Sequence, residues 1–297
     1  MLKKLLKRLL GRRLTYICKV LIHGIPEQRH GRFFDYDCQR FYLYSGFAHS
    51  DSRFRMETKI ITLYHVLDKG LTMPNRKTIL GIDVADSLVK TIGEYEEKHG
   101  VISQQITHAI GVLKEYYLLR KEQMANVLND EKWTRLVNFC TNHESIPAAR
   151  QIHTTKKAFY AAKNSAFPEF SHARHTLRHY AQVPLSLDRL QKAVDLAQTT
   201  PTACNRQYCR TYCISDKSTM ARLLEIQQGN RGFGHLADKL LIVTADLEGM
   251  SEPRERNDLF TNGGMYLMNL CYSLFYFEIA HCILNWSRTP EEDLSAR

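Results

Sequence analysis

The sequence has no apolar window of about 18 residues, so it encodes no transmembrane helix. No uninterrupted apolar core follows its N-terminal charges, which excludes a secretory signal peptide. Without an export signal the expected compartment is the cytoplasm, and the eight cysteines are expected to be free thiols. Three of them, Cys204, Cys209 and Cys213, lie close together. Their spacing is not that of a zinc pair, no matching second pair exists, and Cys213 falls in the strand-like "RTYCIS". His65, His108 and His153 are isolated, so no metal is expected. The chain also lacks internal repeats, low-complexity tracts, paired catalytic carboxylates and a nucleophile–base pair. What remains is an ordinary globular composition, in a 297-residue chain long enough for two domains.

Acidic residues are scarce in one place. Residues 1–32 hold nine Lys or Arg against one acid, Glu27, and so carry most of the formal net charge of +10. Basicity belongs to an arm, not to the body, and no aromatic–basic interleaving marks the rest. Nucleic acid is therefore not the expected partner. In "MLKKLLKRLLGRRLTYICKVLIHG" leucines 2, 5, 6, 9, 10 and 14 share one side at helical spacing, and Lys3, Lys4, Lys7, Arg8 and Arg12 lie largely opposite. A basic amphipathic helix over residues 1–24 suits an anionic membrane surface, here the inner face of the membrane, or packs on the protein's own body.

From about 33 to 165 the signals are helical. "DVADSLVKTIGEYEEKHG" offers Asp83 or Asp86 as an N-cap and Gly100 as a stop. Ile106, Ile110, Leu113, Tyr117 and Leu118 follow a helical period, and "DEKWTRLVNFCTNH" reads as a shorter helix. Tyr116, Tyr117 and Trp133 read as core. Gly70, Pro74 and Asn75 punctuate an irregular stretch between these helices. "KNSAFPEFSHA", with Pro168, reads as a linker.

Beyond 166, helix and strand alternate. Ser186 caps a helix striped by Leu190, Val194 and Ala197 and ended before Pro201. "YCRTYCIS" and "KLLIVTADL" read as strands, the second as apolar enough to be buried on both faces. Asp246 after it reads as a turn residue. "QGNRGFGH" follows a helix and not a strand, which argues against a dinucleotide fingerprint. "NGGMYLMNLCYSLFYF" is too apolar for a helix with an exposed side and belongs in a core or a subunit interface.

One stretch concentrates polar chemistry. "RHTLRHY" (174–180) brings two guanidinium forks, two imidazoles and a hydroxyl into seven residues. Guanidinium binds phosphate through paired hydrogen bonds, and a helix N-terminus would add backbone N–H groups. Leu177 and Tyr180 place it at or just before a helix start. It is an anion cradle or a solvated basic turn.

The order of "RHTLRHY", "PTACNRQ", "NGGMYLMNL" and "CILNWS" resembles the nitroreductase family of flavin enzymes over residues 166–287. The resemblance implies an α+β, nitroreductase-like fold, with a central mainly antiparallel sheet flanked by helices, over 166–297. A mainly helical N-terminal domain (33–165) and the basic arm (1–32) precede it. It implies that Arg174, His175, Thr176 and Arg178 grip the FMN phosphate and ribityl chain. Thr202, Asn205 and Gln207 stand where the family bonds the flavin ring, and Ile283, Leu284 and Asn285 where a segment passes over it. Gly263, Gly264 and Met265 match a helix start in the family's dimer core, so a homodimer through the 263–277 helix is implied. The activity implied is hydride transfer from NADH or NADPH through FMN to a small acceptor such as a nitro compound or quinone, with no catalytic side chain of its own. Relatives continue beyond the position of Trp286, so a shortened C-terminus is expected. "YHVLDKGLTMPNR" is also similar to longer nitroreductase-like proteins linked with surface-polysaccharide gene clusters. That implies an alternative: a non-catalytic scaffold of polysaccharide biosynthesis held at the membrane by its arm.

Overall fold

A computed structural model describes residues 17, 26–46, 52–73, 81–100, 103–124 and 130–296. The amphipathic pattern of residues 1–24 lies almost wholly outside them, as do Pro74 and Asn75. The chain divides into two units, residues 1–55 with 250–257, and residues 56–249 with 258–297.

In the first unit, helix α1 (Pro26–Tyr44) is tied to the 250–257 segment. Arg256 grips Asp37 with both arms of its fork, Nε to Oδ2 at 2.6 Å and Nη2 to Oδ1 at 2.7 Å. That hydrogen bonding holds the Asp37 carboxyl below the usual range.

The second unit begins at Met56, within α2 (Arg53–Leu71), and continues with α3 (Ile82–His99), α4 (Gln104–Met124) and α5 (Glu131–Asn142). Their apolar stripes meet in one core around Ile60, Leu88, Ile92, Ile110, Leu113 and Leu136. Burial of each such side chain is worth about 1.5–3 kcal/mol. Tyr116 is buried in this core, and Tyr117 and Trp133 pack beside it with ring centroids 5.5 Å apart. α3 ends as expected at Gly100, whose positive φ lets its N–H reach Glu96 O. It does not begin at an Asp cap: the N-cap is Gly81 at φ 108°. Asp83 lies in the first turn, and Asp86 is buried, paired with Arg135 at 2.7 Å and Lys90 at 2.8 Å. Asp86 is thus a buried ion-pair partner and not a cap, and burial opposite an arginine on α5 leaves no local signature in the sequence.

The run around Pro168 is not a linker. After α6 (Lys156–Phe159) and a 3₁₀ turn, it forms α7 (Phe167–Ala173). Proline sits in the first turn, where its missing N–H costs nothing. Phe170 packs on Tyr272 and Phe275, so tertiary contact stabilises this short helix.

α8 (Leu187–Ala197) is capped by Ser186, whose Oγ accepts from Arg189 N. α9 (Lys217–Gln227) is capped by Asp216. Strands β1 (Cys209–Ile214) and β2 (Leu240–Ala245) pair antiparallel, with Cys209 opposite Ala245 and Ile214 opposite Leu240. β2 is not buried on both faces. All but one of its residues are half-buried, because β1 is its one strand partner among the described residues. Asp246 then turns the chain, accepting from Glu248 N.

α10 (Asp258–Tyr276) is the long apolar helix, and α11 (Pro290–Ala296) closes the chain. α10 starts five residues before Gly263, so the glycine pair lies inside the helix and not at its start. Leu270, Leu274 and Phe275 are buried, while Phe260, Met265 and Met268 are exposed. Among the described residues no helix is long and apolar enough to cross a membrane.

Candidate functional site

The "RHTLRHY" stretch leaves a helix instead of entering one. α7 ends at Ala173, and Arg174, its C-cap, is extended at φ −72°, ψ 113°. α7 therefore presents a C-terminus to the motif and not the N-terminus that the sequence pattern implied. Phe170 of this helix packs on Phe275, a tertiary contact that stabilises the turn upstream of the motif.

Residues 174–180 instead run beside the segment that follows α10. Leu177 N donates to His281 O at 3.1 Å, and Tyr180 Oη donates to Leu177 O at 2.9 Å. The turn that delivers this second segment takes positive φ at Glu278 (54°), although neither Phe277, Glu278, Ile279 nor Ala280 is a residue type suited to it. Ile279 N closes the turn on Leu274 O at 2.8 Å, and the Glu278 carboxylate pairs with Lys163 at 2.5 Å and Lys156 at 3.3 Å. Burial pushes the His281 imidazole below its ordinary value, and Arg174 nearby adds to this. Its Nδ1 faces Ile279 O at 3.0 Å, and its Nε2 is buried with no hydrogen-bond partner.

These two segments, with β2, α8 and α10, wall a cavity of about 1640 Å³. Thr176, Arg178, Ile283, Leu284 and Asn285 line it, so five of the predicted site residues come together. Arg178 Nε is buried without a partner. Arg174 and His175 are not in the wall; His175 is exposed.

Thr202, Asn205 and Gln207 form a separate knot outside that wall. Gln207 N donates to Thr202 Oγ1 at 3.1 Å, and Gln207 Nε2 donates to Asn205 Oδ1 at 2.8 Å. The loop is pinned to α10: Asn262 Oδ1 accepts from Ala203 N, and Asn269 Nδ2 donates to Thr200 Oγ1 at 2.9 Å. Cys204, Asn205 and Gln207 all have positive φ, an arrangement that costs energy in non-glycine residues. Tyr208, after the knot, is buried, with its hydroxyl donating to Asp258 O.

Other residues in or near the cavity carry no sequence signal: Tyr160 and Arg189 line it, and Lys69 lies outside its wall beside Phe233. Tyr160 follows α6 and Arg189 is on α8, and their Oη and Nε atoms are buried and unpartnered. Burial pushes the Tyr160 hydroxyl up to about 12. Lys69, at the end of α2, stands over the Phe233 ring at 5.7 Å, and Arg178 stands over the same ring at 5.9 Å. Tyr160, Arg189 and Lys69 each lie outside any polar cluster of the sequence, so no spacing rule could have found them.

Residues 172–269, within the α+β part of the chain, match the model of the Nitroreductase family. No curated protein matches the chain. A crystal structure of a protein from Clostridium acetobutylicum, provisionally named an NADH oxidase, aligns with 16% identity and a TM-score of 0.32. The alignment covers 35% of this chain and 61% of that one.

Proposed function

We propose that the chain is an FMN-dependent oxidoreductase that moves hydride from NADH or NADPH to a small acceptor such as a nitro compound or quinone. The observation that carries this reading is the convergence of Thr176, Arg178 and residues 283–285 on one large cavity within reach of the segment that matches the Nitroreductase family. The donor set fits the group. Arg178 Nε and His281 Nε2 are buried and unpartnered, as groups awaiting a polar ligand would be.

In this reading Thr176 and Arg178 hold the phosphate, and Ile283, Leu284 and Asn285 cover the ring. When bound, the flavin supplies the two-electron chemistry, and the protein binds, orients and shields it. Half-buried Leu241, Ile242 and Val243 of β2 line the cavity and exclude water. His281, kept neutral by burial, offers Nε2 as a hydrogen-bonding atom without adding charge. Arg174, His175 and the 202–207 knot enter this reading through the family resemblance. The exposed face of α10, with Phe260, Met265 and Met268, supports a homodimer built on that helix.

A specific observation favours a second reading, a non-catalytic scaffold. The side chains of Asn205 and Gln207, expected on the ring, are bonded to each other outside the cavity wall. The visible spectrum of the full chain, purified without added flavin and again after reconstitution with FMN, separates the two. A flavin band near one per subunit, with turnover of NADH or NADPH against quinone and nitro acceptors, sustains the enzyme. A colourless protein that takes up no FMN leaves the scaffold.

A further inference from the structure

We propose that Lys69, Arg178 and Arg231 form one anion site for a phosphate monoester, and that the helical region preceding the family-matching segment is part of the binding site through Lys69. This rests on the flavin reading only for the identity of the ligand.

The three cations come from distant parts of the chain. Lys69 is in the last turn of α2, outside the family-matching segment 172–269. Arg178 follows α7, and Arg231 is exposed in the "QGNRGFGH" loop, a stretch the flavin assignment leaves unused. Phe233, buried, holds Lys69 and Arg178 together, since each charge stands over its ring. The loop is drawn onto α2 at two points. Lys69 Nζ donates to Gly229 O, and Gly232, at φ 86°, lies so close to Met73 that a Cβ there would be 3.0 Å from its sulfur.

Like charges gathered this way oppose folding unless something negative joins them. Among the described residues, no carboxylate pairs with Lys69, Arg178 or Arg231. Burial, with Arg178 and Arg231 beside it, pushes the Lys69 ammonium below its ordinary value; the Cys282 sulfur opposes this in part, and no carboxylate does. The Cys282 thiol lies near Lys69 and Arg178, but burial keeps it protonated and neutral. Donors are left over as well: Arg178 Nε is buried without an acceptor. A phosphate dianion answers both deficits, because it brings charge and several acceptor oxygens to a guanidinium fork and an ammonium.

The test uses the full chain, with FMN, riboflavin and inorganic phosphate as probes. For wild type, FMN should bind more tightly than riboflavin, and phosphate should raise the Tm beyond chloride of equal ionic strength. Lys69→Met keeps the stem and removes the charge. It should weaken FMN by about ten- to hundredfold, the worth of one charged hydrogen bond, and leave riboflavin unchanged. Lys69→Arg should retain most of the FMN affinity. Arg231→Gln, an exposed change that spares the fold, should also blunt the phosphate response. If neither flavin binds but phosphate still stabilises wild type and not the variants, the anion site stands and the flavin reading falls. If Lys69→Met and Arg231→Gln respond to phosphate as wild type does, or Lys69→Met weakens riboflavin as much as FMN, the anion site is overturned.

Discussion

Leu177 N and His281 O meet at 3.1 Å, and this bond joins the two stretches of chain, 104 positions apart, that carry the chemistry of the cavity. Thr176 and Arg178 flank one end of it, and residues 283–285 follow the other.

Arg178 is the cation of the "RHTLRHY" stretch that lines the cavity, and Arg174 is not. Arg178→Ala should therefore release FMN, with a fall in affinity of about tenfold or more, while Arg174→Ala retains more of it. Equilibrium titration of each variant with FMN checks the order, and equal losses would place Arg174 on the phosphate too.

His281 gives stability a pH dependence. Its folded-state pKa lies below the ordinary 6.5, so on acidification the unfolded chain takes up the proton first. The contribution is complete above about pH 6.5 and is lost as the pH falls through the lowered folded value. Urea denaturation should give a smaller stability at pH 5.5 than at pH 7.5, and His281→Gln should shrink the difference. An unchanged difference would show that other groups set it.

Glu278 combines a positive φ with two lysine partners. Glu278→Ala loses the ion pairs and keeps the backbone cost, whereas Glu278→Gly loses the pairs and removes that cost. The glycine variant should be the more stable of the two by about 1 kcal/mol in thermal or urea unfolding. Since the lysines hold the Glu278 carboxyl low, its contribution is present above its ordinary value of 4.5 and lost as the pH falls below it.

Gly111 lies in α4 where the 147–149 segment crosses. Ala149 N donates to Gly111 O at 2.9 Å, and a Cβ would stand 3.1 Å from Pro147 O. Gly111→Val should destabilise the chain by about 1–3 kcal/mol through overpacking, read as a lower urea midpoint. A midpoint equal to wild type would mean that the crossing segment yields.

The phrases of the chain with a period or a cap could be read without coordinates. The Gly100 stop, the Ser186 cap, the two strands and the apolar helix carrying Leu270 and Phe275 all follow from rules that act within a few residues. So did the residue types of the anion-binding stretch, because a guanidinium fork is the same group wherever the chain puts it. The tertiary structure decided how those pieces are used. Packing on Tyr272 and Phe275 made a helix of the stretch around Pro168 and left "RHTLRHY" behind a helix C-terminus. Glu278 takes a conformation that its own residue type disfavours, in a turn closed by Ile279 N on Leu274 O, with two lysines on its carboxylate. Lys69 and Arg178 share one aromatic ring although 109 positions separate them. Local rules reach about one helical turn, whereas burial and charge act between whatever residues the fold brings within a few ångströms.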